Sequence, residues 1–280
     1  MSPWLESVAV ASVGFLAFLL GRRFSKLPKP YWLIGYFIPL GLVLLYCLAM
    51  FQPRLALVPP ISWMMIGRNR FVFFNFAAVM LLATPMSKLP QKRNRIVVCA
   101  FICVLTAVSI VPFLAPAFNR GYLAALKTRI DSDGICRQSN DYTCAPAAAV
   151  TALRKLGFAA EEGEIAILAH TSSLTGTEPD VLATELQKRY RTQGLHAEYR
   201  VFKDINELKR AGLTVVVVKF NVLMDHCVTV LGFEGEKIAI GDPLSGLTTL
   251  SAEDFASKWQ YVGIVLERIP PKQGLENGAK

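Results

Sequence analysis

The sequence predicts a chain of two parts: an all-α transmembrane bundle of about four helices, then an α+β domain in which helices come first and an antiparallel sheet follows. Three observations carry this. Residues 1 to about 120 are mostly apolar, and the remainder has an ordinary soluble composition. The charge divides at the same place. Residues 1–126 hold twelve Lys/Arg against one acid, Glu6, a balance of +11; residues 127–280 hold eighteen against twenty, a balance of −2, within a whole-chain charge of +9. Beyond residue 140, helical spacing gives way near residue 214 to β-rich runs separated by turn chemistry.

In the first part, four stretches approach the roughly 20 apolar residues that a bilayer crossing takes: 3–20, 31–51, 71–87 and 96–118. The third is short and interrupted by Asn75. Residues 55–66 are apolar but broken by Pro59 and Pro60, which fits an interfacial or re-entrant piece better than a fifth span. Nothing basic precedes the first stretch, while Arg22 and Arg23 follow it, the reverse of a signal peptide. The loops after spans one and three hold eight Lys/Arg (Arg22, Arg23, Lys26, Lys29; Lys88, Lys92, Arg93, Arg95). The opposite side holds six (Arg54, Arg68, Arg70; Arg120, Lys127, Arg129). Positive charge stays inside, so this bias puts the amino end and the carboxyl-terminal domain outside. Apart from Glu6 near one end, the spans lack the ionisable residues that mark an ion or proton path, and the bland reading of this half is an anchor. The basic residues sit in short loops beside apolar segments and the soluble part is slightly acidic, so a nucleic-acid partner is not expected.

In the second part, a helix starts at Cys144, with Thr143 or Asp141 as a cap, Pro146 in its first turn and Gly157 at its end. Further helices fit 161–170, 178–194 with Pro179 near its start, and 204–211. Strands fit 214–220, 226–234, 237–242 and 261–267, and Gly235-Glu236 reads as a tight hairpin turn. Ser251 to Asp254 resembles a capping box before FASKW, and the tail after Pro270 is polar and reads as disordered.

A cysteine is nucleophilic as its thiolate, which a helix amino-terminus and a neighbouring protonated histidine both favour. Cys144 stands at such a terminus; an inert thiol packed in an Ala-rich helix is the alternative. Of three histidines, His170 ends a helix and His196 lies in a polar stretch. His226 instead opens a strand between two apolar runs and needs a hydrogen-bond partner there. Asp242 closes the next strand; a hairpin about Gly235-Glu236 puts residues 229 and 242 roughly opposite and brings the carboxylate within reach of the ring. Asp225 is the rival orienter, but neighbours on a strand face opposite sides. The Gln138 side-chain amide can donate to an oxyanion beside the Cys144 backbone N–H. No cysteine pair shows C-x-x-C spacing, so metal binding by cysteine is not expected, and neither a cofactor nor a metal is assigned.

QSNDYTCAP (138–146), HCVTVLG (226–232) and IAIGDPLSG (238–246), together with TSSLTGT (171–177) and the FASKW and VGIVLE segments, resemble the C39 peptidase family, papain-like cysteine proteases. The resemblance covers about residues 130–268. It implies a papain-like α+β fold for residues 127–268, with Cys144 as nucleophile, His226 as general base, Asp242 as orienter and Gln138 as oxyanion donor. Family members cleave leader peptides, commonly after a double glycine, and are best known as amino-terminal domains of bacteriocin-exporting ABC transporters. Here the residue after the cysteine is Ala145 where the family usually has Gly, the domain follows the membrane spans, and no P-loop motif occurs. On an outer face, Cys136 and Cys227 could pair. The expectation is a membrane-anchored cysteine endopeptidase with a peptide or protein substrate and a lipid bilayer around its spans, with separate export machinery as a candidate partner. The alternative is a catalytically silent peptide-binding module of a membrane export or processing complex.

Overall fold

The computed structural model describes residues 3–52, 68–221 and 224–269 together with positions 55, 58, 61 and 64. The re-entrant reading of 55–66 and the disordered-tail reading of 270–280 lie largely or wholly outside them. The chain divides into two compact units, residues 1–120 with 172–175, and residues 121–171 with 176–280.

The first unit is helical: α1 (Pro3–Ser25), α2 (Ile34–Phe51), α3 (Asn69–Ala83) and α4 (Lys92–Ala124), the last continuing into the second unit. Counted with the short 3₁₀ turns beside α2 and α3, the described residues give four helical stretches long and apolar enough to cross a membrane: Trp4–Ser25, Tyr31–Phe51, Asn69–Lys88 and Lys92–Ala124. The fourth runs past its expected end at 118 to Ala124, with Pro112 and Pro116 inside it. Asn75, expected to interrupt the third stretch, is fully enclosed. Its Nδ2 donates to Val10 O (3.3 Å) and its Oδ1 accepts from Thr106 Oγ1 (3.1 Å). Gly14 packs here so closely that a Cβ would come within 2.7 Å of Asn75 Nδ2.

The second unit is α+β. A two-stranded ribbon, β1 (Arg129–Ile130) and β2 (Cys136–Arg137), leads into α5 (Cys144–Lys155), α6 (Glu162–Leu168) and α7 (Pro179–Tyr190). Then come β3 (Leu195–Val201), α8 (Ile205–Ala211), β4 (Thr214–Lys219), β5 (Asp225–Glu234), β6 (Lys237–Asp242), β7 (Gly246–Ser251), α9 (Ala252–Lys258) and β8 (Trp259–Arg268). The sheet runs β3-β8-β4-β5-β6-β7 and is antiparallel throughout. One of its cores joins Val216, Val228, Val230, Ile238 and Ile240 to Phe255 and Trp259.

Three details depart from expectation. α7 stops at Tyr190, and a 3₁₀ turn carries the chain to Gly194 at φ +89°. Strands β3 and β7 were not anticipated: His196 was placed in a polar solvated stretch, but it pairs with Glu267 inside the sheet. A bulge between Val230 and Gly232 shifts the β5–β6 register by one, so Thr229 stands opposite Gly241 rather than residue 242. The turn itself is where it was expected, with Glu234 opposite Lys237 and Gly235 at φ +63°. α5 lies against β5, and Thr229 Oγ1 donates to Ala148 O (2.8 Å), which brings the start of the helix over the start of the strand.

Candidate active site

Cys144 is the first residue of α5. Thr143 is its N-cap but does not cap the helix with its side chain; its hydroxyl instead closes a turn on the Asn140 carbonyl (3.1 Å). The helix is Ala-rich, and Ala145, Ala147, Ala148 and Ala149 are all enclosed, which lets it pack flat on the sheet. The Ala145 methyl, 1% exposed, is packed in the interior.

His226 lies near the start of β5 and Asp242 ends β6. His226 Nε2 and Asp242 Oδ1 are 2.8 Å apart. The carboxylate is held in turn: Oδ1 also accepts the Leu244 N–H (2.8 Å), and Oδ2 accepts the Ser245 hydroxyl (2.8 Å). With Nε2 engaged, Nδ1 is the nitrogen left for sulfur, and the His226 ring is within hydrogen-bonding reach of Cys144. Phe220 flanks the ring, with centroids 6.0 Å apart. The rival orienter Asp225 sits on the exposed side of β5 opposite Lys219.

The Cys227 thiol also contacts Cys144, through side chain and backbone N–H alike. The sequence offered Cys227 only as a pairing candidate for Cys136, not as a partner of Cys144. Cys136 and Cys227, considered as a pair, are both free thiols. Burial pushes the Cys136 thiol up to about 12.

Of these two thiols, Cys227 is pushed well above an ordinary thiol and Cys144 well below it, which makes Cys227 the donor of the pair. That hydrogen bond is the leading cause that holds Cys144 well below an ordinary thiol, against the cost of burial, with the His226 hydrogen bond and charge adding to it. For His226, burial works against the charged ring, but the Asp242 hydrogen bond and then the Cys144 contact raise it to about 9. For Asp242, burial works upward, but the bonds from His226, Leu244 and Ser245 hold it at about 2. The three shifts have one chemical sense: a thiolate, an imidazolium and a carboxylate in a row.

Gln138 lies between β2 and α5. Its backbone N–H donates to Pro243 O (3.1 Å), the residue after Asp242. Its side-chain Nε2 donates one proton to Asn140 O (2.8 Å), which fixes the amide and leaves a second N–H. All four residues singled out from the sequence are thus held in one loop-and-strand-end cluster, with Gln138 tied to it through its backbone.

The Peptidase C39 family model matches residues 133–272. The chain is 28% identical over 143 residues to an uncharacterized protein of Methanothermobacter thermautotrophicus (strain Delta H), covering 51% of this chain and 94% of that one. It shows the same identity and coverage against an uncharacterized protein of Methanothermobacter marburgensis (strain Marburg). Among solved structures it is similar to a double glycine motif protease from an AMS/PCAT transporter in complex with the leader peptide: 18% identity, TM-score 0.42, 52% of this chain and 96% of that chain. It is also similar to the peptidase domain of Streptococcus ComA, a bifunctional ABC transporter involved in quorum sensing: 22% identity, TM-score 0.40, 48% and 96%.

Proposed function

The chain belongs to the peptidase C39 family, and on that premise we propose that residues 127–268 act as a membrane-anchored cysteine endopeptidase on a peptide or leader sequence, cutting after a double glycine. The observation that carries the reading is the grouping of Cys144, His226 and Asp242, in which His226 Nε2 sits 2.8 Å from Asp242 Oδ1 and Cys144 and His226 shift each other's pKa in the sense of a thiolate beside an imidazolium. In this reading the Cys144 thiolate attacks the scissile carbonyl carbon. The carbonyl oxygen becomes an oxyanion and accepts from the Gln138 amide and the Cys144 backbone N–H. His226 gives its proton to the leaving amine as the C–N bond breaks, leaving a thioester. His226 then takes a proton from water, whose oxygen attacks the thioester and releases the acid and the thiolate. Asp242 keeps the ring oriented and charged. The four apolar helices anchor the domain in the bilayer, and the loop charges favour its placement on the outer face.

The test uses the full chain in detergent with quenched-fluorescent peptides centred on Gly-Gly, read by fluorescence and mass mapping. Wild type cleaves after the second glycine. Gln138→Ala lowers kcat by about 10²–10³, the usual effect of losing one oxyanion donor. Binding of the peptides without cleavage contradicts the reading and favours a silent binding module.

A further inference from the structure

The strand-to-helix loop that carries Gln138 rests on a carboxylate outside the Cys144–His226–Asp242 row. Glu162, the first residue of α6, has no solvent exposure. A carboxylate loses its hydration when buried and stays in place when donors occupy its oxygens. Here both are occupied by one residue: Oε1 accepts the Ser139 backbone N–H (2.8 Å) and Oε2 accepts the Ser139 hydroxyl (2.6 Å).

The Ser139 N–H belongs to the peptide plane that leaves Gln138. The carbonyl at the other end of that plane, Gln138 O, accepts from Arg129 Nη2 (3.2 Å). A peptide unit is rigid, so holding its C=O and its N–H fixes the whole plane and with it the ψ of Gln138. Gln138's own N–H is held separately by Pro243 O (3.1 Å). The direction in which the Gln138 side chain leaves the backbone is therefore set from both sides, with Glu162 as the support on the Ser139 side. Glu162 is itself immobile. Its backbone N–H donates to Thr128 Oγ1 (2.8 Å), and the next residue, Gly163, packs so tightly that a Cβ would collide with the Leu123 carbonyl oxygen.

We propose that Glu162 is a positioning residue for acyl transfer: its buried carboxylate, clamped on Ser139, fixes the Gln138–Ser139 peptide plane so that the Gln138 amide meets the oxyanion formed at Cys144. The inference rests on the endopeptidase reading and on Gln138 as oxyanion donor.

Acyl transfer and alkylation separate this role from a structural one. Alkylation of Cys144 by iodoacetamide displaces iodide at an sp³ carbon; it needs the thiolate and no oxyanion donor. Peptide cleavage needs both. The experiment compares wild type, Glu162→Gln, Ser139→Ala and Gln138→Ala as full chains in detergent, on the Gly-Gly peptide and on iodoacetamide. Glu162→Gln keeps the shape but at most one of the two acceptor oxygens. It lowers kcat about tenfold, part of the ~10²–10³ for losing the donor outright, with KM within about twofold and the alkylation rate within about twofold. Ser139→Ala, which keeps the backbone N–H and loses only the hydroxyl contact, lowers kcat about threefold with the same unchanged alkylation. In a Gln138→Ala background, Glu162→Gln costs less than about twofold more, because both act through one amide. The proposal is overturned by an unchanged kcat in both Glu162→Gln and Ser139→Ala, by alkylation that falls in step with cleavage, or by a full tenfold loss on top of Gln138→Ala. A wild-type kcat in Gln138→Ala alone would strike the oxyanion assignment beneath it instead.

Discussion

Replacing Cys144 by Ala is expected to abolish peptide cleavage, lowering kcat by at least about 10⁴-fold, while unfolding free energy changes by less than about 1 kcal/mol. The first effect follows from the chemistry. Without sulfur no thioester forms, and the oxyanion donors alone supply only a residual acceleration. The second follows from the packing. Cys144 begins a helix whose next residues, Ala145 to Ala149, already fill the contact with the sheet. Alanine is a better helix former than cysteine, which offsets the lost contact with the Cys227 thiol. Cleavage assays and thermal or denaturant unfolding of the same preparation check both arms. Cleavage at the wild-type rate would remove Cys144 from the role of nucleophile.

Asp242→Asn is expected to lower kcat by about 10³–10⁴ and to move the alkaline limb of activity toward neutral pH. Asparagine keeps the size, but its amide is neutral and can present a donor where the imidazolium needs an acceptor. The pH dependence has a definite sign. Burial alone pulls His226 down, and Asp242 is the largest of the influences that raise it to about 9. The reactive form pairs a thiolate with a protonated ring. In wild type it exists above the depressed Cys144 pKa and disappears as pH rises through about 9. With Asp242 neutralised, the ring releases its proton at lower pH and Cys144 gives up its own less readily, so the active window narrows from both ends. Profiles of kcat/KM against pH for the two proteins read this directly, and an unmoved alkaline limb would detach Asp242 from His226.

The sequence carried much of this architecture, for physical reasons that can be named. Long apolar helices and the Gly235-Glu236 hairpin have strong periodic or turn signatures, and the structure has both. The chain order of helices and then sheet follows from the change of period near Thr214. Strand β3 was missed because LHAEYRV is polar on one side, and His196 and Glu198 masked the alternation of Leu195 and Ala197, which face the interior. The one-residue register shift at the bulge between Val230 and Gly232 has no pattern signature, since a bulge adds a residue without changing composition. His226 and Asp242 nevertheless come together, because the hairpin alone brings their ends close and a 2.8 Å bond spans the remainder.

The neighbours of the site were harder to read. Cys227 stood out in the sequence only as a pairing candidate for Cys136; at the strand end its thiol and its backbone N–H instead act on Cys144. Glu162 was not singled out from the sequence, which gave only a helix over 161–170. Its partner Ser139 lies 23 residues earlier in the chain, a separation at which local patterns carry no information.

The central physical claim is that Cys144 is a thiolate at neutral pH, drawn there by a protonated His226 and the Cys227 thiol. It is tested most directly by following iodoacetamide modification of the Cys144-containing peptide in the full chain across pH by mass spectrometry. The account predicts a plateau of fast modification well below the pH of about 8.5 at which a free thiol ionises, with a further change near the His226 pKa of about 9. A single ordinary thiol titration centred near ~8.5, with Cys144 no faster than the cysteine of a short unstructured peptide, would contradict it.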